Sequence, residues 1–287
     1  MSGSFKVLAC YLLWGFLVLY WPLFGALDPL VVLSFRIVFS MIFCLAVLLV
    51  IGQGRALAEL MKDKKQMFLL FCAGVAITVN WGSYIIAVMT GRVLDASLAY
   101  YMNPIFSIAL GFFVYKERLR PLQWVAFVLA ILGVTVPMIA YGQVPLFAIV
   151  IGTSFAIYGA IKKKVKASGM MSIFMETLLV TPLALIYLAL FCNPGDLGVR
   201  DWLLLPTMGI ATTVPLALFA VGMKDTSLSV AGVLMYVNPT IQLLLGVFLL
   251  GEKFTAIHGI MFAFVWVGVE LFLMDGFRER KRQGEIK

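Results

Sequence analysis

Residues 97–107 read SLAYYMNPIFS, and residues 233–242 read VLMYVNPTIQ. Each places an Asn-Pro pair, Asn103-Pro104 and Asn238-Pro239, inside an apolar run. A proline removes a backbone donor and strands the carbonyl four residues earlier, which costs most where no water can replace the lost partner. A helix breaker used twice in the same setting needs a reason, and the rest of the chain supplies it.

The chain has 287 residues, 63% of them hydrophobic and 13% charged, with a mean hydropathy of +1.04. No soluble domain buries that much apolar surface around one core. Crossing about 30 Å of hydrocarbon takes roughly 20 apolar residues. Runs of that length fall at approximately 5–24, 29–51, 67–89, 94–115, 121–141, 145–163, 170–191, 201–222, 228–250 and 255–276. The sequence therefore predicts an all-α integral membrane protein of ten spans with short connections, leaving no room for a soluble catalytic, nucleotide-binding or receptor domain. The run after Lys6 is long for a signal peptide and lacks a small-residue cleavage site, so it is read as retained. Cys10, Cys44, Cys72 and Cys192 have neither metal-ligand nor disulfide-framework spacing and read as free thiols on helix surfaces.

The net charge of +8 is informative through its placement. With the N-terminus in the cytoplasm, every one of the 22 basic residues except Arg36, Arg92, Arg200 and Lys253 falls at an inner loop or in the tail. By the positive-inside rule both termini are cytoplasmic. The tail RERKRQGEIK, residues 278–287, reads as an orientation anchor on anionic lipid, not as a nucleic-acid site.

Placing Asn103 on Asn238 aligns residues 74–134 with 209–269 without a gap. Gly74 meets Gly209, Thr78 meets Thr213, Tyr101 meets Tyr236, Gly111 meets Gly246, Glu117 meets Glu252 and Gly133 meets Gly268. The chain reads as a duplicated five-span unit, residues 1–141 and 142–276, followed by a basic tail at 277–287. Because five is odd, the second copy enters the membrane from the opposite side. Inverted repeats of this kind place a binding site near the midplane where the halves meet. Pro104 and Pro239 then lie at the same mid-bilayer depth on related helices. If both helices face a shared central cavity, the carbonyls of Tyr100 and Met235 and the amides of Asn103 and Asn238 become available to a solute. The competing reading is compensation by neighbouring helices.

The repeated Tyr-x-Asn-Pro with its following Gly and Glu, YLLWGFLVLYW at 11–21, NWGSYIIAVMTGRVLDASLAYYMNP at 80–104 and KERLRPLQW at 116–124 carry a resemblance. They resemble the ten-helix EamA-type permeases of the drug/metabolite transporter superfamily, and within it the RarD-like branch often labelled chloramphenicol-sensitive. The resemblance covers nearly the whole chain. It implies a ten-helix bundle of two inverted five-helix repeats around a cavity in a bacterial inner membrane, and it supplies no substrate.

Helical spacing groups candidate lining residues. Cys10, Trp14, Leu17 and Trp21 share a face, as do Asn80 and Tyr84 with Trp81 adjacent, and Ser97, Tyr100, Tyr101, Pro104 and Ser107 form a stripe. The second half offers Ser154 and Tyr158, then Thr212, Thr213 and Phe219, then Tyr236, Asn238, Pro239 and Gln242. Such walls suit a small amphipathic solute, with ring faces holding apolar or cationic parts and amides fixing polar ends. Tyr20 and Trp21, near a span end, read better as interfacial belt residues. Arg36 and Glu176 are the charges set inside spans, at comparable places in the two repeats and so at opposite depths. A direct ion pair between them is not expected. One reading gives Arg36 an anionic group and Glu176 a cationic group or a coupling proton; the alternative is structural pairing or snorkelling. Glu117 and Glu252 read as turn chemistry beside the next helix N-terminus.

These features favour a secondary permease or exporter of small metabolites or drugs, with an amino-acid-like zwitterion as the first solute class. An intramembrane enzyme lacks its groups: there is no HExxH, His258 is the one histidine, and no aspartate lies deep in a span. A channel lacks a charged ring or filter, while a non-transporting structural subunit stays open. No cofactor or metal motif is present, the expected partners are a small-molecule solute and lipid, and the sequence leaves a homodimer undetermined.

Overall fold

Asp28 accepts hydrogen bonds from the amides of Leu30 and Val31, and Pro29 fills the first helical position, where its missing donor costs nothing. From that cap α2 runs Pro29–Val50 with Arg36 as its one charged residue. Asp63 caps α4 (Lys64–Met89) in the same way, through Lys65 and Gln66, and Ser168 caps α8 (Gly169–Phe191) through Met171. The computed structural model describes residues 3–115, 120–142, 145–162, 164–222, 226 and 234–282.

Within them every regular element is a helix. The remaining elements are α1 (Gly3–Phe16), α3 (Gly54–Lys62), α5 (Val93–Tyr115), α6 (Pro121–Tyr141), α7 (Leu146–Lys162), α9 (Val199–Leu204), α10 (Thr207–Gly222), α11 (Val237–Phe248) and α12 (Ala256–Arg282). Among the described residues, 6 stretches are helical, long and apolar enough to cross a membrane: Gly3–Phe24, Pro29–Val50, Lys64–Met89, Gly169–Phe191, Val199–Phe219 and Ala256–Glu279. Their outward faces carry bare hydrophobic side chains such as Leu49, Phe68, Leu183 and Leu203, the surface expected against lipid rather than water.

Four local features add detail to the spans read from sequence. The first span does not stay α-helical to its end: α1 stops at Phe16 and continues as 3-10 turns at Leu17–Leu19 and Trp21–Phe24, around Pro22. The eighth is divided at Leu205-Pro206 into α9 and α10. The connection after α2 holds α3, whose Leu57 and Leu60 pack beside a cluster containing Cys44, Leu48 and Leu70. The two Asn-Pro pairs also differ: Pro104 lies within continuous α5, whereas Pro239 sits in the first turn of α11, where a missing amide donor is tolerated. Of the predicted 228–250 span, the part before residue 234 lies outside the described residues.

Helix α2 packs against α8. The two run antiparallel, because Cys44 and Leu48 near the end of α2 join a cluster with Met171, Phe174 and Met175 near the start of α8. Further pairs are α5 with α7, α4 with α7 and α8, α1 with α10 and α11, α10 with α2, and α5 with α11; α6 and α12 pair at the periphery. Small residues allow the closest approaches. A Cβ at Gly74 would lie 2.7 Å from the Glu176 carbonyl oxygen, and one at Gly209 would lie 2.4 Å from that of Phe39.

Candidate functional site

A cavity of about 510 Å³ lies between these pairs, lined from α1, α2, α4, α5, α7, α8, α10 and α11. Its lining reaches Lys162 at the end of α7 and the exposed Gly169 at the start of α8. At the other end it includes Trp21, which is fully buried.

Arg36 anchors that second end. Its guanidinium carbon lies 4.7 Å from the Trp21 ring centroid and 4.1 Å from that of Trp81, so two indoles flank one cation. Its Nε donates to Thr212 Oγ1 on α10 at 3.1 Å. The belt reading of Trp21 is thereby overturned: the 3-10 turns after α1 fold the indole inward onto Arg36.

Rings continue the wall. Tyr84 packs edge-on to Tyr100 at 5.8 Å between centroids, Tyr100 to Phe155 at 6.4 Å, and Phe155 against Tyr158 at 6.0 Å, joining α4, α5 and α7. Across from them Tyr11, Trp14 and Phe219 form a cluster between α1 and α10. The amides of Asn80, Asn103, Asn238 and Gln242 interrupt this apolar surface. Asn80 Nδ2 donates to the Ile151 carbonyl at 2.8 Å and approaches Ser154 Oγ at 3.4 Å, while Gln242 Nε2 donates to Asn238 Oδ1 at 2.8 Å. Three buried polar atoms on lining residues, Trp21 Nε1, Tyr84 OH and Gln242 Oε1, have no hydrogen-bond partner among the described residues. Orphans of this kind are rare in a finished protein interior and mark places where a ligand or water belongs.

Glu176 is engaged. Tyr158 OH donates to it at 3.0 Å, Ser172 Oγ at 2.5 Å and Lys162 Nζ at 2.7 Å, and Lys162 also contacts Ser172. Arg36 and Glu176 thus have separate partners. Of the groups named from sequence, Trp14, Trp81, Tyr84, Tyr100, Asn80, Asn103, Tyr158, Asn238, Gln242, Arg36 and Glu176 line the cavity.

Five others do not. Tyr101 turns to the opposite face of α5, stacks on Tyr236 at 6.0 Å, packs on Phe262 and Trp266, and bonds Thr240 Oγ1 at 2.5 Å. Tyr236 is held in that stack, and Ser154 is buried beneath Asn80, donating to the Ile151 carbonyl at 3.1 Å. Ser97 donates to the Pro239 carbonyl, and Thr213 pairs with Cys44, so both serve helix contacts. The side chains of Pro104 and Ser107 lie outside the described residues. Sequence reasoning missed Lys162, read there as an orientation charge, though its spacing of four from Tyr158 signalled a shared face. It also missed Tyr11 and Phe155, which only their helical offsets from Trp14 and Tyr158 could have suggested.

Sequence comparison gives the class of this helical chain: it belongs to the EamA-like transporter family, whose model matches residues 1–138 and again 144–274. It is 34% identical to protein RarD of Escherichia coli strain K12, over 98% of this chain and 97% of that protein. It is 37% identical to the uncharacterized transporter YojE of Bacillus subtilis, over 94% and 93%, and 35% identical to an uncharacterized transporter of Vibrio cholerae, over 96% and 93%. A protein crystal structure superposes with a TM-score of 0.62, covering 94% of this chain and 96% of the other; at 19% identity the likeness is one of fold.

Proposed function

We propose that the protein is a secondary-active or facilitative permease of small amphipathic metabolites or drugs, built as two inverted five-helix repeats and working by alternating access. The observation that carries this reading is the aromatic and amide cavity, lined from both halves and holding unpartnered polar atoms at Tyr84, Trp21 and Gln242.

The pairings of the helices support the repeat. Exchanging the halves maps α4 with α8 onto α10 with α2, α5 with α7 onto α11 with α1, and α4 with α7 onto α10 with α1, and each of these pairs is in contact. Contacts at single residues recur likewise. A Cβ at Gly152 would meet Phe106, and one at Gly15 would meet Ile241, the residue aligned with Phe106 by the Asn-Pro register. On this reading the basic ends face the cytoplasm of a bacterial inner membrane, and the Lys162 end of the cavity is the inner one. The relatives from Bacillus subtilis and Vibrio cholerae bear the name uncharacterized transporter, in keeping with a cavity that has no catalytic constellation among the described residues.

The test is labelling of a single cysteine placed at Leu17, in a background freed of the four native cysteines, with a membrane-impermeant maleimide applied from either side. Alternating access predicts reaction from both sides, shifting in proportion when a transported solute is added. Reaction from one side only, whatever the solute, contradicts it.

A further inference from the structure

Among the described lining residues the ionic charges are Arg36, Lys162 and Glu176. Two of them cancel, since Lys162 Nζ lies 2.7 Å from the Glu176 carboxylate. That carboxylate also accepts from Ser172 and Tyr158, so its capacity is largely filled. An incoming ammonium would have to displace these partners.

Arg36 is in the opposite condition. It is 6% exposed and has no acidic partner among the described residues. A guanidinium carries five N–H donors, of which the Nε–H is the one with a hydrogen-bond acceptor among the described residues, on Thr212. The indoles of Trp21 and Trp81 crowd its guanidinium carbon, and its terminal nitrogens have no hydrogen-bond acceptor among the described residues. An intramembrane cation without a counter-ion is costly and marks a functional position. Beside it, Tyr84 offers a hydroxyl with no hydrogen-bond partner among the described residues, and the Tyr84 and Tyr100 rings form an apolar flank.

We infer that Arg36, flanked by Trp21 and Trp81, is a carboxylate receptor, and that the cavity takes small organic monoanions with an aromatic or other apolar body in preference to zwitterions or amines. This deepens the proposed permease reading and rests on its cavity. The fork of Arg36 binds the carboxylate edge-on, Tyr84 OH donates a further hydrogen bond, and the body lies along the Tyr84–Tyr100–Phe155 wall. The buried charge gains its counter-ion only when solute is present, so loading and charge neutralisation are one event.

The test uses the purified full-length protein in a neutral detergent, with tryptophan fluorescence as the readout because two indoles contact the guanidinium. The probes are 3-phenylpropanoate, its amide, 3-phenylpropylamine and phenylalanine. The acid is expected to bind at least tenfold tighter than the amide and tighter than the amine or the zwitterion. In Arg36→Gln the acid should fall to the level of the amide, whose own binding stays put. The comparison of acid with amide in the unaltered protein stands without any variant, so misfolding of Arg36→Gln cannot decide the result. An acid that binds no better than its amide, including the case where neither binds, overturns the assignment, as does preference for the amine or zwitterion. Acid binding without flux in liposomes would keep the receptor and remove the permease reading; flux of solutes without acid preference would do the reverse.

Discussion

Lys162 and Glu176 show how much one partner matters when a charge is buried. Glu176 is 2% exposed in the side chain, and Lys162 is the one cation paired with it among the described residues. Removing the lysine leaves a buried carboxylate uncompensated, and because Lys162 itself is partly exposed the loss is about 1–3 kcal/mol, below that of a fully buried pair. Lys162→Met should therefore lower the melting temperature in detergent clearly, and Lys162→Met with Glu176→Gln should recover most of the loss. A double variant as unstable as the single one would mean that the lysine acts through packing. At this scale the sequence was informative about which charges are unusual and poor at naming their partners. Arg36 and Glu176 stand out because they interrupt long apolar runs, whereas Lys162 sits at a helix end, where basic residues are ordinary. Tyr100 and Tyr101 illustrate a second limit. Neighbouring helical residues point about 100° apart, and which of the two faces the cavity depends on the rotation of α5 against α7 and α11, which local spacing does not fix.

Helix contacts depend on glycines more than on large side chains. At Gly209 a methyl group would press into the Phe39 carbonyl, with backbone on both sides of the contact. Gly209→Ala should cost about 1–3 kcal/mol by overpacking, read as a lowered melting temperature. Gly276→Ala, where nothing lies within 4 Å, should be neutral or slightly stabilising through helix propensity. Equal melting temperatures for the two variants would show that α2 and α10 yield at their crossing. Glu252 joins elements differently from the sequence expectation. Its carboxylate accepts from the amides of Val93 and Leu94, at 2.5 and 2.9 Å, so it caps α5 in the other half and not the helix that follows it; its counterpart Glu117 lies outside the described residues. Burial holds the Glu252 pKa above the ordinary carboxylate value despite these donors. A raised carboxyl pKa favours the native state at low pH, and the advantage is lost as pH rises through the native value. The melting temperature of the native protein relative to Glu252→Gln should thus improve as pH falls from 7 toward 4.5; a constant difference would contradict this. Most span positions were legible, because hydrophobic length alone sets them. The breaks at Phe16 and Leu205-Pro206 were not, since an apolar run reads the same in an α-helix and in a 3-10 turn.

For the molecule as a whole, the register of Asn103 on Asn238 set the two Asn-Pro pairs in equivalent places, whereas Pro104 lies within a helix and Pro239 at the start of one. On the proposed reading of an inverted repeat, that is the kind of difference between halves that alternating access requires. The family defines the chain as a transporter, and the cavity between the halves is where a solute would sit. The most direct measurement is counterflow in proteoliposomes: uptake of labelled 3-phenylpropanoate with and without unlabelled solute on the opposite side. The account predicts saturable uptake that is accelerated by solute in trans and lost in Arg36→Gln. Uptake no faster than in empty liposomes, or rising linearly with concentration and indifferent to trans solute, would contradict it.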